Sequence, residues 1–535
     1  MGIAQELIQK QQSIENDRAT FESHWQEVAE LVLPRSNIFF EDNHTQGEKR
    51  TQKKFDDTAT LALEHGAAAI ESVVTPRGQK WHGIGVDESL ENDQEAQEWG
   101  DALRDFLFRK RYGSRSNFAS QIHECYLSLL AYGNCCLIVE DMLDGNIRYK
   151  ASHIKEHYFL ENQFGTIDTN YRKYQLTARQ AVQKFKDKTP EKVLKCMDKE
   201  PGKLIDFLHV VMPDEDGDSG TNYISYHVFP DDASILGIGG FRSFPYIISR
   251  WVTTAGETYG RSPAMNLLSE IKMLNQMRKT DLRARHMAVS PPLLAADQSR
   301  VRKFSMKPDA LNYGTLDMNG NPLVRPYQNG ANIPASNDGM EQSREFINRG
   351  FFVTLFQILV ESPAMTATEV LQRAQEKGQL LTPTAGRQMS ELLEPMIMRE
   401  ISIYEDYGIF NDGQFLKMPE SIKRTEGDYK IIYTNPLSRM QKAEEALGVE
   451  RTIQSMLPLA QIDPSILERV DWGEYADLMR EANGAPAKLF KTKEEMQAIE
   501  QQKAQAAQMQ QLMQAAPQVA GAIKDVAQAQ SYASE

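Results

Sequence analysis

Gly256-Glu257-Thr258-Tyr259-Gly260-Arg261-Ser262-Pro263 decides how the chain is read, because it opens a long helix. Gly256 and Gly260 supply the permissive backbone of a tight approach. Ser262 is a good N-cap, and Pro263 fits the first helical position, where no backbone donor is needed. Leu267, Leu268, Ile271, Leu274 and Met277 then recur at helical spacing until Ser290-Pro291-Pro292 stops the pattern. Roughly 28 residues at about 1.5 Å each make a rod of about 40 Å. Its polar positions carry Lys272, Arg278, Lys279, Arg283, Arg285 and His286 against only Glu270 and Asp281. The rod is therefore apolar on one face and basic on the rest, in a protein of net charge −14.

Outward from the rod, the chain falls into three stretches. Before it, Ala4–Leu33 reads as one or two helices burying Leu7, Ile8, Ile14, Phe21, Trp25, Val28 and Leu31, and Pro34 ends it. Helices are expected over Asp56–Val74, Glu95–Phe108 and Phe118–Tyr132, with a short strand opened by Trp81 and a buried strand over Cys135–Glu140. From Arg148 to Tyr246 the pattern turns to strands, with a short helix over Thr177–Phe185. Gly237-Ile238-Gly239-Gly240 reads as a turn, since a dinucleotide fingerprint would need a third glycine at its own spacing and a following helix. After the rod, Pro291–Pro334 is rich in Pro, Asn and Gly, as a small β domain or exposed loops would be. Glu341–Val360 is expected to be helical and to bury Phe346, Phe351, Phe352, Leu355, Phe356 and Leu359. Thr366-Ala367-Thr368-Glu369 is a capping box starting a helix to Tyr407, with kinks at Pro383 and Pro395. Tyr429–Tyr433 is a strand expected to rejoin the first sheet, 439–497 is helical, and the tail from Ala498 is Ala/Gln-rich.

G-E-T-Y-G-R-S-P before a long helix resembles the stem entry of portal proteins of short-tailed phages. The later run Asn435-Pro436-Leu437-Ser438-Arg439-Met440-Gln441-Lys442-Ala443-Glu444-Glu445 is similar to that family too, and the resemblance covers nearly the whole chain. It implies an α+β portal fold that forms rings, dodecameric in the family. The wing would span 1–260, the first stem helix 261–290, a small β-containing clip 291–338 and the second stem helix 339–361. A channel loop over 362–368 and a long kinked spine helix over 369–410 would follow. A wing return strand over 411–438, a helical crown over 439–497 and the tail over 498–535 would complete the chain. The implied role is a DNA conduit at one capsid vertex, not an enzyme. Its partners would be terminase, a tail adaptor, the major capsid and scaffolding proteins, and double-stranded DNA. The implied location is the virion, after assembly in the host cytoplasm.

Composition is compatible with that role. At 535 residues the chain exceeds a single core, and 41 % hydrophobic residues suit a globular protein. No apolar run approaches the ~20 residues of a membrane span. Met1–Glu6 carries neither signal-peptide nor myristoylation features, and four cysteines in so long a chain suggest a reducing compartment. The excess of 74 acidic over 60 basic residues argues against a general nucleic-acid clamp. A conduit, by contrast, should hold sliding phosphates weakly.

Within the resemblance, the channel loop would be Glu361, Ser362, Pro363, Ala364, Met365 and Thr366, and clip contacts would fall to Arg300, Arg302, Lys303 and Lys307. Along the rod, Arg278 and Arg285 nearly share one face, while Lys272, Lys279 and Arg283 fall on another. Only one of these stripes should face a channel. Read singly, each is an ordinary solvated charge; in a ring, one per chain becomes a belt. The apolar stripe has an evident partner only in the 341–360 helix, so neighbouring copies are expected to cover the rest.

The competing chemistry is His153-Ile154-Lys155-Glu156-His157, an H-x-x-E-H string that on a helix could bind zinc for hydrolysis. Its flanks read as strand, which would put the two histidines about 13 Å apart. No third ligand can be assigned. No phosphate-binding loop or nucleophile elbow occurs, and no cofactor is implied. A helical scaffolding protein, suggested by the Ala/Gln tail, is the remaining alternative; the strand-rich middle argues against it.

Overall fold

Alternating apolar residues over 147–250 form most of the sheet strands, and the main core is built largely from the helices and strand before and after them. The computed structural model describes residues 2–36, 39, 53–85, 93–142, 145–215, 217, 220–295, 316, 319, 321–326, 333–353, 386–411, 416–424, 430–435, 438, 448–458 and 470–483. These fall into two units, Met1–Asn435 and Pro436–Glu535.

In the first unit, α1 (Ile3–Leu31) is one unbroken helix. Helices α2 (Thr58–Val74), α3 (Gln94–Arg111) and α4 (Phe118–Tyr132) follow, with the short β1 (His82–Gly85) between the first two. Gly133, at φ 76°, caps α4 and turns the chain into β2 (Asn134–Asp141). β2 is buried through Val139 because it is the central strand between β3 (Ile147–Ser152) and β9 (Tyr246–Arg250), both antiparallel to it.

A five-stranded antiparallel sheet fills the interval. It runs in chain order through β4 (His157–Glu161), β5 (Ile167–Thr177), β6 (Leu204–Pro213), β7 (Tyr223–Phe229) and β8 (Ser234–Phe241). On one face the first half of α1 sets Ala4, Leu7 and Ile14 against Tyr158, Tyr171, Leu208, Val210 and Val228. Another apolar cluster on this sheet joins Ala181 of α5 (Ala178–Phe185) and Val193 of α6 (Glu191–Lys199) to Tyr174, Phe207, Phe229 and Leu236. Thr177 and Gln180 form a reciprocal capping box at the start of α5.

The long helix α7 (Pro263–Val289) leaves this body and is followed by the short pair β10 (Leu293–Ala295) and β11 (Val324–Pro326). The return helix α8 (Ile333–Gly350) runs antiparallel to α7: Gly339 lies against Met277, and Gly350 against Leu267. A Cβ on Gly350 would sit inside the Leu267 side chain, so glycine there permits the close approach. A π-helical turn (Met389–Leu393) then leads into α9 (Glu394–Asp406), and β12 (Lys430–Tyr433) pairs with β1. In the second unit, residues 448–458 and Trp472–Asn483 are helical.

Several expectations are corrected. Gly237–Gly240 is not a turn but part of β8, because backbone pairing with β7 overrides the local preference of glycine. Residues 154–156 form one 3-10 turn rather than strand, and only His157 begins β4. The return helix starts at Ile333, not Glu341, since Pro334 falls in the first turn, where no donor is lost. It ends at Gly350, with Phe352 at φ 64°, and Phe346 is 57 % exposed. The strand at 430–433 joins β1 alone rather than either larger sheet. The first half of α7 is buried within its own chain, with Leu267, Leu268, Ile271 and Leu274 in the main core, so it needs no neighbour there. At Pro395 the helix widens into the π turn, which absorbs the missing donor. Pro383, Leu355, Phe356 and Leu359 lie outside the described residues.

Candidate functional site

The base of α7 is a set of backbone interlocks. Ser262 accepts from the Met265 amide at 2.9 Å and donates to the Ala131 carbonyl at 2.8 Å, tying the new helix to the end of α4. Asn134 accepts from the Gly260 amide at 2.8 Å and donates to the Gly260 carbonyl at 3.2 Å. Gly133 and Gly260 lie backbone to backbone, and a Cβ on Gly133 would meet the Arg261 carbonyl carbon at 2.7 Å. Tyr259 is buried among Phe21, Trp25 and Phe159, with the Arg18 guanidinium nearby. The quoted motif is thus an anchor that fixes the direction of the rod.

Three buried arginines tie neighbouring elements together, and two of them, Arg18 and Arg250, reach the anchor at Tyr259 and Thr258. Arg18 of α1 donates to the carbonyls of Ile154 and Lys155, each at 3.1 Å, and of His157 at 2.5 Å. Its guanidinium lies 3.8 Å from the centroid of the Tyr158 ring. Arg111 of α3 pairs with Glu400 of α9 at 2.7 Å, and both side chains are essentially dry, at 0 % and 1 % exposure. Tyr149 donates to the same carboxylate at 2.5 Å, and His82 touches Arg111 at 2.9 Å. Burial opposes the Arg111 charge, but Glu400 and Tyr149 outweigh it and raise its pKa; burial and the Arg111 charge push His82 well below the usual histidine value. Arg250 binds Glu391 at 2.8 Å and also pairs with Glu161, joining β9 to the π turn.

Along the rod, the five basic candidates separate. Arg278 and Arg285 share Asp281, at 3.1 Å and 2.8 Å, and Arg285 also reaches Asn337 of α8 at 2.8 Å. Asp281 is only 3 % exposed, and its second oxygen has no hydrogen-bond partner among the described residues. A groove of about 360 Å³ lined by Met277, Thr280, Asp281, Ala284, Ile333 and Ser336 lies beside it, between the helices. Lys272 pairs with Glu27 of α1 at 2.7 Å, and the Lys279 ammonium sits 5.4 Å from the Phe55 ring centroid. Arg283 is exposed and forms no ion pair among the described residues. The stripe of Arg278 and Arg285 therefore turns toward α8, while Lys272, Lys279 and Arg283 lie on the other side. Arg300, Arg302, Lys303, Lys307 and the loop Glu361–Thr366 lie outside the described residues.

Sequence reading missed Arg18, Arg111 and the burial of Asp281. Asp281 carried one signal: it lies seven residues after Leu274, in the apolar phase of the helix, with arginines three before and four after it.

The zinc-like string is dispersed into fold contacts. His153 accepts from the Lys155 amide at 3.1 Å, and its ring packs on Phe39 and Tyr132. Glu156 takes Arg172 and Ser152, both at 2.9 Å. His157 is buried and contacts Asn170 and Cys136. Among the described residues no group of three potential ligands could hold a metal ion.

A second buried cluster lies between the sheets. His209 and His227 stack with centroids 4.1 Å apart, and His209 meets the Tyr246 hydroxyl at 2.5 Å. Burial, then His227, Lys184 and Arg172, push His209 well below the usual histidine value; burial, then Lys184 and Arg172, take His227 down to about 3.

Residues 4–490 match the family of bacteriophage head to tail connecting proteins. The chain is similar to the probable portal protein of Bordetella phage BPP-1, with 25 % identity across 93 % of this chain and 90 % of the relative. It is likewise similar to the portal protein of Salmonella phage epsilon15, with 24 % identity across 95 % of this chain and 92 % of the relative.

Proposed function

The chain belongs to the family of bacteriophage head to tail connecting proteins, and from that premise we propose that it is a phage portal protein. It acts as a ring, dodecameric as in the resembling family, at one vertex of the capsid. Terminase docks on the ring to drive DNA in, a tail adaptor closes it, and the genome leaves through it. Capsid and scaffolding proteins hold it at the vertex, and the protein is made in the host cytoplasm before entering the virion. The role is that of a conduit, with no catalytic step.

The observation that carries this reading is the α7–α8 pair: a long antiparallel hairpin whose base is locked by Ser262, Asn134 and Gly260 and whose far half leaves the body. A rod anchored so firmly at one end suits a channel wall. Phosphate contacts add to affinity and weaken with salt, so a wall should offer few of them. Asp281 neutralises part of the Arg278 and Arg285 stripe, and Glu27 does the same for Lys272. Lys279, which lies over the Phe55 ring, and Arg283 are left as the residues through which each subunit touches passing DNA. The hydrolase reading has no support, since Glu156 is held by Arg172. Infection with a phage whose gene for this protein carries a nonsense codon tests the role. Heads formed without the protein should lack DNA, and supply in trans should restore packaging. DNA-filled heads without it would overturn the reading.

A further inference from the structure

Only the inner half of the α7–α8 hairpin is packed into the body. Outward of Leu274 and Ile347, the buried residues of the two helices are Asp281, Met340 and Ser343, so apolar burial does little to fasten that half. A short stretch ahead of α2, residues 53–57, meets both helices at this boundary. The Asn275 side chain of α7 serves it as a backbone partner would: its Oδ1 accepts from the Phe55 amide at 2.7 Å, and its Nδ2 donates to the Lys53 carbonyl at 2.9 Å. Asp56 binds Arg344 of α8 at 2.9 Å and accepts the Thr58 amide at the start of α2, also at 2.9 Å. The Lys279 ammonium lies over Phe55, and Lys53 reaches back to Glu30 of α1 at 2.9 Å. Four residues thus join α1, α2, α7 and α8.

Such a fastening can be undone without disturbing the core. Both Asn275 hydrogen bonds are exposed, and Phe55 keeps 38 % of its surface in water. The contacts of Lys53 with Glu30, Asp56 with Arg344 and Lys279 with Phe55 are attractions of charges at or near the surface, which salt weakens. Segments held by few apolar contacts and by exposed hydrogen bonds are the ones that open first. We infer that residues 53–57 are a releasable strap. Docked on Asn275 and Arg344, it holds the outer half of the hairpin against local opening. Released by salt, it frees that half while the base at Ser262 and Gly260 stays locked. The inference rests on the hairpin geometry alone and holds whether or not the chain lines a DNA channel.

The test is amide exchange, followed by mass spectrometry, on the full-length parent and on Asn275→Ala. Alanine is the better helix former, so the substitution by itself steadies α7, and a faster outer hairpin must come from the lost strap. Removing the two hydrogen bonds should speed exchange over 53–57 by about tenfold or more, and over 276–289 and 333–343 severalfold. Exchange in α4 and β2 should stay as it is. In the parent, raising sodium chloride from about 50 to about 500 mM should speed the same two regions, and in Asn275→Ala it should add little. Faster exchange at 53–57 alone would show a segment that fastens only itself and would overturn the inference. No change in either region, or an equal change throughout the chain, overturns it as well. An outer hairpin that ignores salt in the parent refutes the release.

Discussion

Replacing Gly133 by alanine tests the anchor of the long helix. Gly133 has φ 76°, and its new Cβ would overlap the Gly260 carbonyl and lie 2.7 Å from the Arg261 carbonyl carbon. Neither side can give way freely. Gly260 is held twice by Asn134, the Gly133 carbonyl takes the Trp251 amide at 2.8 Å, and Arg261 bonds Val252 at 2.7 Å. Left-handed backbone costs a non-glycine residue about 1 kcal/mol. Relieving the overlap also displaces one or two buried hydrogen bonds, at about 1–3 kcal/mol each. The expected loss is therefore about 2–7 kcal/mol. Gly145 provides the control, because it has nearly the same φ, 74°, but no described residue within 4 Å of its added Cβ. Gly145→Ala should lose only about 1 kcal/mol. Urea unfolding of the two variants beside the parent measures both. Losses that agree within about 1 kcal/mol would refute the interlock, since only close approach distinguishes the two sites.

Glu400→Gln leaves the fully buried Arg111 charge without its counter-ion and should cost about 3–5 kcal/mol in urea unfolding, whereas Glu27→Gln, at the exposed Lys272 pair, should cost under about 1 kcal/mol. The depressed pKa values of His209, His227 and His157 mean that the unfolded chain takes up protons first as pH falls. Stability from these groups is complete above about pH 6.5 and should decline below it, so the melting temperature should drop between about pH 6.5 and 4.5, before most carboxylates titrate. Asp281→Asn removes the charge that engages Arg278 and Arg285; it should steepen the salt dependence of DNA retention in filled heads, and Arg283→Gln should flatten it. An unchanged salt response in both variants would mean that these side chains are ordinary solvated charges.

Local codes were the legible part of the sequence. The start of α7 at Ser262-Pro263, its stop at Ser290 and the span of α4 follow from capping, proline and glycine, which act within a few residues. The buried charges were not legible in this way. Whether Arg18, Arg111 or Asp281 is dry depends on Ile154, Glu400 and Arg278 or Arg285 arriving from other turns or other elements. The glycines of β8 misled for the opposite reason: their local preference is for a turn, and the partner strand decided otherwise. Pro334 was read as the end of a loop-rich stretch and Pro395 as a kink, yet one sits in a first turn and the other behind a π turn, two places where a helix tolerates a missing donor. Of the candidate channel residues, sequence spacing separated the two stripes, and the structure supplied what each of them touches.

The central claim is that copies of this chain close into a ring around a channel walled by α7 and α8. Electron cryo-microscopy of the purified full-length protein tests it most directly. The account predicts closed rings with a central hole, each subunit contributing one α7–α8 hairpin to the wall and presenting Arg283 toward the opening. A stable monomer at micromolar concentration in low and moderate salt, or rings with these hairpins on the outer rim, would contradict it.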